Sequence, residues 1–117
     1  MNKLLFLIGC LPAVAFASPQ MDMSSHQPAP TSAQQAYQAG MDKMHHDMMS
    51  AMSSHNPDVA FAKGMRAHHQ GAIEMAKTEL QYGKDPEMRA LAKSIIAAQQ
   101  KEIAQMDKWL KAHPDTH

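Results

Sequence analysis

"SHNPDVAFAKGMRAHHQGAIEMAKTELQYGKDP", Ser54–Pro86, is one helical pattern held between two uses of the same punctuation. At its start Asn56 suits an N-cap, Pro57 the first helical position and Asp58 the positive first turn. At its end Gly83 suits a C-terminal stop, Asp85 the next cap and Pro86 the first residue of the next helix. The spacing predicts a helix over 57–82. Working outward, a third helix runs from Pro86 to about Lys111, with Pro114 beyond it, and a first helix from about Ala33 to Ser53. No stretch reads as a strand. Short turns make sequential helices antiparallel neighbours. The expected fold is all-α: a small antiparallel up-down helical bundle of about three helices over 33–112, with a tail over 113–117.

The helices are amphipathic. At 100° per residue, Phe61, Met65, His68, Ala72, Met75 and Glu79 share a stripe on the second helix, with Lys63, Arg66, Gln70, Glu74 and Lys77 opposite. On the third, Met88, Leu91, Ile95, Gln99, Glu102, Met106 and Trp109 make the expected inner face, and Lys93, Lys101, Lys108 and Lys111 point outward. On the first, Met41, Met44, Met48 and Met52 lie within a quarter of the circumference, His45 borders them, Met49 is marginal and His46 points away. Folding about Gly83-Lys84 pairs His68 with Gln99 and Met65 with Glu102. Folding about His55-Asn56 pairs Met44 with Ala67–His68 and Met41 with His69–Gln70. Three helices are thus expected to bring Met, His and carboxylate or amide groups to one layer.

A chain of 117 residues argues for one domain. Met1-Asn2-Lys3, the apolar run Leu4–Val14 and Ala15-Phe16-Ala17 read as a secretory signal over 1–17. The run is too short to span a bilayer, so no membrane insertion is expected after cleavage. Leu7-Ile8-Gly9-Cys10 as a lipoprotein box ranks second, because that cysteine comes so early. Residues 18–32, rich in Pro and Ser, read as a flexible arm carrying a small Met21, Met23, His26 cluster. The expected location is the periplasm or outside the cell. Cleavage removes Cys10, the single cysteine, so a soft metal ligand in the mature chain has to be methionine. The eleven Lys and Arg become ten without Lys3, against eleven Asp and Glu. That balance gives no electrostatic reason for a nucleic-acid partner.

Twelve methionines in such a chain need a reason. Any one of them is more readily core filler, since Met fills irregular gaps. Repeated choice of Met over Leu on the first helix, which has almost no branched aliphatics, suggests that sulfur matters. Thioether sulfur selects Cu(I), with Ag(I) as its chemical analogue, and imidazole joins it. Gln99 and Glu102 suit acceptors that fix a histidine's ring and tautomer. Zinc fits worse. A di-iron carboxylate site needs Glu-x-x-His pairs, which Glu74, Glu79, Glu87 and Glu102 do not supply. Of the His68-His69 pair, His68 is nearer the stripe's centre and is the first choice of ligand.

"FAKGMRAHHQGAIEMA" followed by "MRALAKSIIAAQQKEIAQMDKWL" resembles the CopM-like family of exported copper-binding helical proteins, first catalogued as a domain of unknown function. The resemblance covers about Pro57 to Leu110. It implies a ferritin-like helical bundle and Cu(I) binding, carried over most directly to Met65, His68, His69, Met75 and Met106. Arg66 departs from the family's usual apolar residue, on the predicted outer face. A ferritin-like bundle has four helices and this chain supplies three, so either the arm adds one or two chains pair as a homodimer. The ligand set expected from residues and resemblance together is Met41, Met44, His45, Met48, Met65, His68, His69, Met75 and Met106. The expected function is periplasmic capture of Cu(I) for buffering, tolerance or transfer to another copper-handling protein, without enzymatic chemistry. The alternative is an envelope or stress-related interaction scaffold whose Met-rich face packs against a partner.

Overall fold

The computed structural model of the chain describes residues 15, 17 and 28–115. The rest of the signal expected over 1–17, the arm residues 18–27 with Met21, Met23 and His26, and the last two residues lie outside the described residues. Among the described residues the fold consists of three helices: α1 (Ser32–Ala51), α2 (Pro57–Tyr82) and α3 (Pro86–Ala112). No strand occurs among the described residues, and none of their helices is long and apolar enough to cross a membrane.

The caps work as their chemistry dictates. The Asn56 side chain accepts from the amides of Asp58 and Val59, at 2.9 and 3.3 Å. Asp85 accepts from the Met88 amide at 2.9 Å. α1 begins at Ser32, inside the expected arm, because Thr31 and Gln34 form a capping box. The Thr31 hydroxyl accepts from the Gln34 amide and the Gln34 side chain accepts from the Thr31 amide. Gly83 stops α2, but in extended backbone rather than the left-handed form usual for a glycine stop. The guanidinium of Arg89 reaches back and donates to the Leu80 and Gly83 carbonyls, satisfying orphan acceptors at the helix end.

The antiparallel bundle is open. α2 packs against α1 and against α3, whereas the backbones of α1 and α3 do not approach each other. α2 therefore buries two strips half a turn apart. One, toward α1, is Gly64, Ala67 and Gly71: Gly64 lies under Ala51 and the Met52 methyl, and Gly71 under Met44. The other, toward α3, holds Ala62, His69, Ile73 and Ala76. Small residues on both strips let the helices approach closely, and Val59 is the one larger side chain that is fully buried.

This arrangement corrects the expected inner faces. Phe61 is 67% exposed, Leu91 50% and Met75 48%, and His68 is exposed too. The apolar stripe of α2 stands at right angles to both neighbours and forms one broad side of the layer. One hollow on that side is lined by Tyr37 of α1, Ala72 and Met75 of α2, and Met88, Leu91 and Ile95 of α3. A second is lined by Phe61, Met106 and Trp109. The opposite broad side is polar, with a hollow lined by Lys43, Glu74, Lys77 and Gln81. The register also differs. Met44 sits over Gly71, about one helical turn beyond Ala67–His68, and Glu102 meets His69 where Met65 was expected.

Candidate functional site

His69 is the inward member of the histidine pair, at 7% exposure, which reverses the preference for His68. One residue's step turns a side chain by 100°, and α2 buries its flank rather than the centre of its apolar stripe. The two rings lie edge to face with centroids 6.1 Å apart. His69 Nε2 is hydrogen-bonded to Glu102 of α3. A carboxylate accepts, so the contact calls for a hydrogen on Nε2, and whenever the ring is neutral its lone pair is then at Nδ1. That Nδ1 is buried and has no hydrogen-bond partner. The expected role of Glu102, fixing a histidine's tautomer, is what this contact performs, on His69 rather than His68.

Met65 precedes His69 by one turn on α2, and Met106 follows Glu102 by one turn on α3. Because the helices are antiparallel, Met65 and Met106 stand at the same level of the α2/α3 seam, beside the His69–Glu102 pair. Both are half-buried. Two thioethers and an unpartnered imidazole nitrogen therefore line one seam. Gln99, one turn before Glu102 on α3, carries a second buried polar atom without a hydrogen-bond partner, its Oε1.

The remaining candidates are spread. Met44 and Met48 are half-buried on α1, whereas Met41, His45, Met49 and Met52 are exposed. α1 and α3 are separated by α2, hence by two interhelical distances, roughly 16–20 Å. Met75 lies ten residues beyond Met65, about 15 Å along α2, in the hollow with Met88 and Leu91. So the three helices present Met and His on one side of one layer, and the seam of α2 with α3 is where a buried histidine stands among them. Tyr37 and Gly71 went unread because sequence periodicity marks large apolar side chains, not the hollows between them.

The two broad sides differ in charge, although Glu74 joins the lysines of the polar one. Asp58 and Glu79 line hollows of the Met-bearing side and Glu102 sits at its seam, while Lys43 and Lys77 line the other side. Arg66 is tied to Asp107, which raises its pKa above the ordinary guanidinium value, with a weaker pull from Asp47 on α1. Among the described residues no three His, Asp or Glu side chains are grouped so as to hold a metal ion, so thioether sulfur would have to complete any site at the seam.

A family model described as "Domain of unknown function (DUF305)" matches residues 11–110. The chain is also similar to "Uncharacterized protein L153" of Acanthamoeba polyphaga mimivirus, 42% identical over 53 residues. That match takes in 45% of this chain, and the chain spans 35% of the length of that relative.

Proposed function

The chain belongs to the DUF305 family, and from that premise we propose that it captures Cu(I), with Ag(I) as analogue, for buffering or onward transfer outside the cytoplasm. The observation that supports this reading is the buried, unpartnered Nδ1 of His69. Leaving a buried polar atom unsatisfied costs about 1–3 kcal/mol. A bound cation removes that cost. The donor set at the seam, one imidazole with the thioethers of Met65 and Met106, matches the soft preference of Cu(I), and the carboxylate behind the imidazole is the arrangement that orients metal-bound histidines. Acidic groups on the same side favour approach of a cation. Met44, Met48, His68 and His45 would supply secondary contacts nearer α1, and Met41 and Met75 peripheral ones. Copper supplies no chemistry here. It is cargo, and the chain's residues bind it and shield it from water.

Anaerobic titration with Cu(I) against a competing chelator tests the reading. Tight binding is expected, falling at least about 10-fold in His69→Ala and again when Met65→Leu and Met106→Leu are added. Affinity no better than that of an unstructured Met-containing peptide, or affinity that survives loss of His68, His69 and Met65 together, ends the proposal. A second reading, an interaction scaffold without metal, draws on the exposure of Phe61, Met75 and Leu91. Replacing Met44, Met48, Met65 and Met106 with leucine separates the two: copper binding collapses under the first reading, whereas folding and partner binding persist under the second.

A further inference from the structure

We infer that the apolar broad side of the layer is the contact surface for a second copy of this chain. The side spans all three helices, from Tyr37 across Met75 to Leu91, and continues past Phe61 to Met106 and Trp109. The intramolecular core is alanine and glycine with Val59, Ile73 and Ile103, while larger apolar side chains such as Phe61 and Leu91 stand outside it. Soluble monomers rarely leave so continuous a patch uncovered. Its size fits a dimer. The 26 residues of α2 measure about 39 Å, and three helices packed 8–10 Å apart give a footprint of about 1,000 Å², against the roughly 800 Å² per partner of a stable interface.

With the signal expected over 1–17 removed, the chain's own arm is a poor occupant. Residues 18–27, "SPQMDMSSHQ", hold two large apolar side chains, too few to cover three helices. Charge favours a particular pairing of two copies. Glu102 and Glu79 lie toward α3 and α2, whereas the α1 edge of the same side offers Met41, Met48, Met52 and His45. A two-fold axis parallel to α2 sets α1 of one copy across from α3 of the other, so the acidic groups meet thioethers and imidazole rather than each other. Lys43 and Lys77, on the opposite side, stay in solvent.

Sedimentation equilibrium of the purified, chelator-treated protein over a concentration series tests this. The mass of two chains is expected without metal. Phe61→Lys combined with Leu91→Glu should weaken association about 100-fold while far-UV circular dichroism stays that of the unsubstituted chain. Met75→Cys, in a chain lacking Cys10, should form an inter-chain disulfide under mild oxidation, because a two-fold axis along α2 brings that position close to its own copy. Lys77→Glu on the polar side should leave the mass unchanged. A single-chain mass throughout, a dimer indifferent to Phe61→Lys and Leu91→Glu, or a failure of Met75→Cys to cross-link overturns the proposal. Monomers that dimerise only after Met21→Ser and Met23→Ser would show the arm covering the side instead, and would overturn it equally.

Discussion

On one flank of α2 the helices approach through glycine and alanine, with Met44 laid over Gly71 and the Met52 methyl over Gly64. On the other flank they are tied by polar side chains: His69 to Glu102, Arg66 to Asp107, and Lys63 to Asp115 at 3.5 Å. No hydrogen bond or ion pair joins α1 to α2 among the described residues. The first seam depends on shape and the second on charge and hydrogen bonding. The two fail in different ways, and the α2/α3 seam is the one where the proposed Cu(I) ligands stand.

The largest effect should come from spoiling shape. A methyl group added at Gly71 would lie 2.8 Å from Met44 Cγ and 3.0 Å from its Cβ, so α1 itself has to shift. Gly71→Val is expected to cost about 2–3 kcal/mol in denaturant unfolding, with faster amide exchange in α1 than in α3. Adding Met44→Ala should restore about 1 kcal/mol of that loss. Equal exchange in both helices would mean that the seams are not independent. Gly83→Ala is the control. The atoms it meets belong to the flexible Glu79 carboxylate, which can swing away, so a change within about 0.5 kcal/mol is expected.

Next in size is the polar seam. Glu102→Ala strands a buried imidazole, and a loss of about 1–2 kcal/mol is expected. Cu(I) affinity should fall about 10-fold in the same variant. Glu102→Gln keeps an acceptor and should retain most of the stability. If both variants bind Cu(I) as the unsubstituted protein does, Glu102 does not orient the ligand.

Smaller still is the Arg66–Asp107 pair, whose side chains are both more than a third exposed. Arg66→Ala should cost about 0.5 kcal/mol or less, and high salt should erase the difference. The smallest effect sits on the outer surface of α1. A hydrogen bond from Lys43, and then one from His46, hold the Asp47 carboxyl below the usual carboxylate range. A depressed folded pKa stabilises above the ordinary aspartate value of about 3.9 and is lost as pH falls through the folded one. Lys43→Met should therefore lower stability slightly at neutral pH and leave it unchanged at acid pH below the folded pKa, where the carboxyl is protonated in both states.

The caps were legible in sequence because their chemistry is local: Asn56, Asp85 and the prolines after them needed no knowledge of the rest of the molecule. Thr31 and Gln34 went unread although their Thr-x-x-Gln spacing is a local capping signature, and they fix the start of α1 inside the Pro/Ser-rich arm. The apolar stripes were legible as stripes. Their direction was not, because a helix with neighbours on opposite flanks buries those flanks, here with Ala62, Gly64, Ala67 and Ala76, which contribute little to hydropathy. The same geometry decided between His68 and His69. Glu102 was legible as a partner of histidine from its place in a stripe, and the identity of that histidine depended on a register known only from the packed helices.

Because the backbones of α1 and α3 do not pack against each other, the molecule has an order of disassembly. Freeing α1 breaks a single seam and leaves α2 and α3 joined by their polar ties. Freeing α2 breaks both seams at once. α1 is thus a detachable flap and α2 the keystone. Amides of α1 should exchange with solvent through a partial opening, while those along the α2 flank toward α3 should wait for global unfolding. A Cu(I) ion held at the α2/α3 seam would raise the cost of the second opening and leave the first nearly untouched.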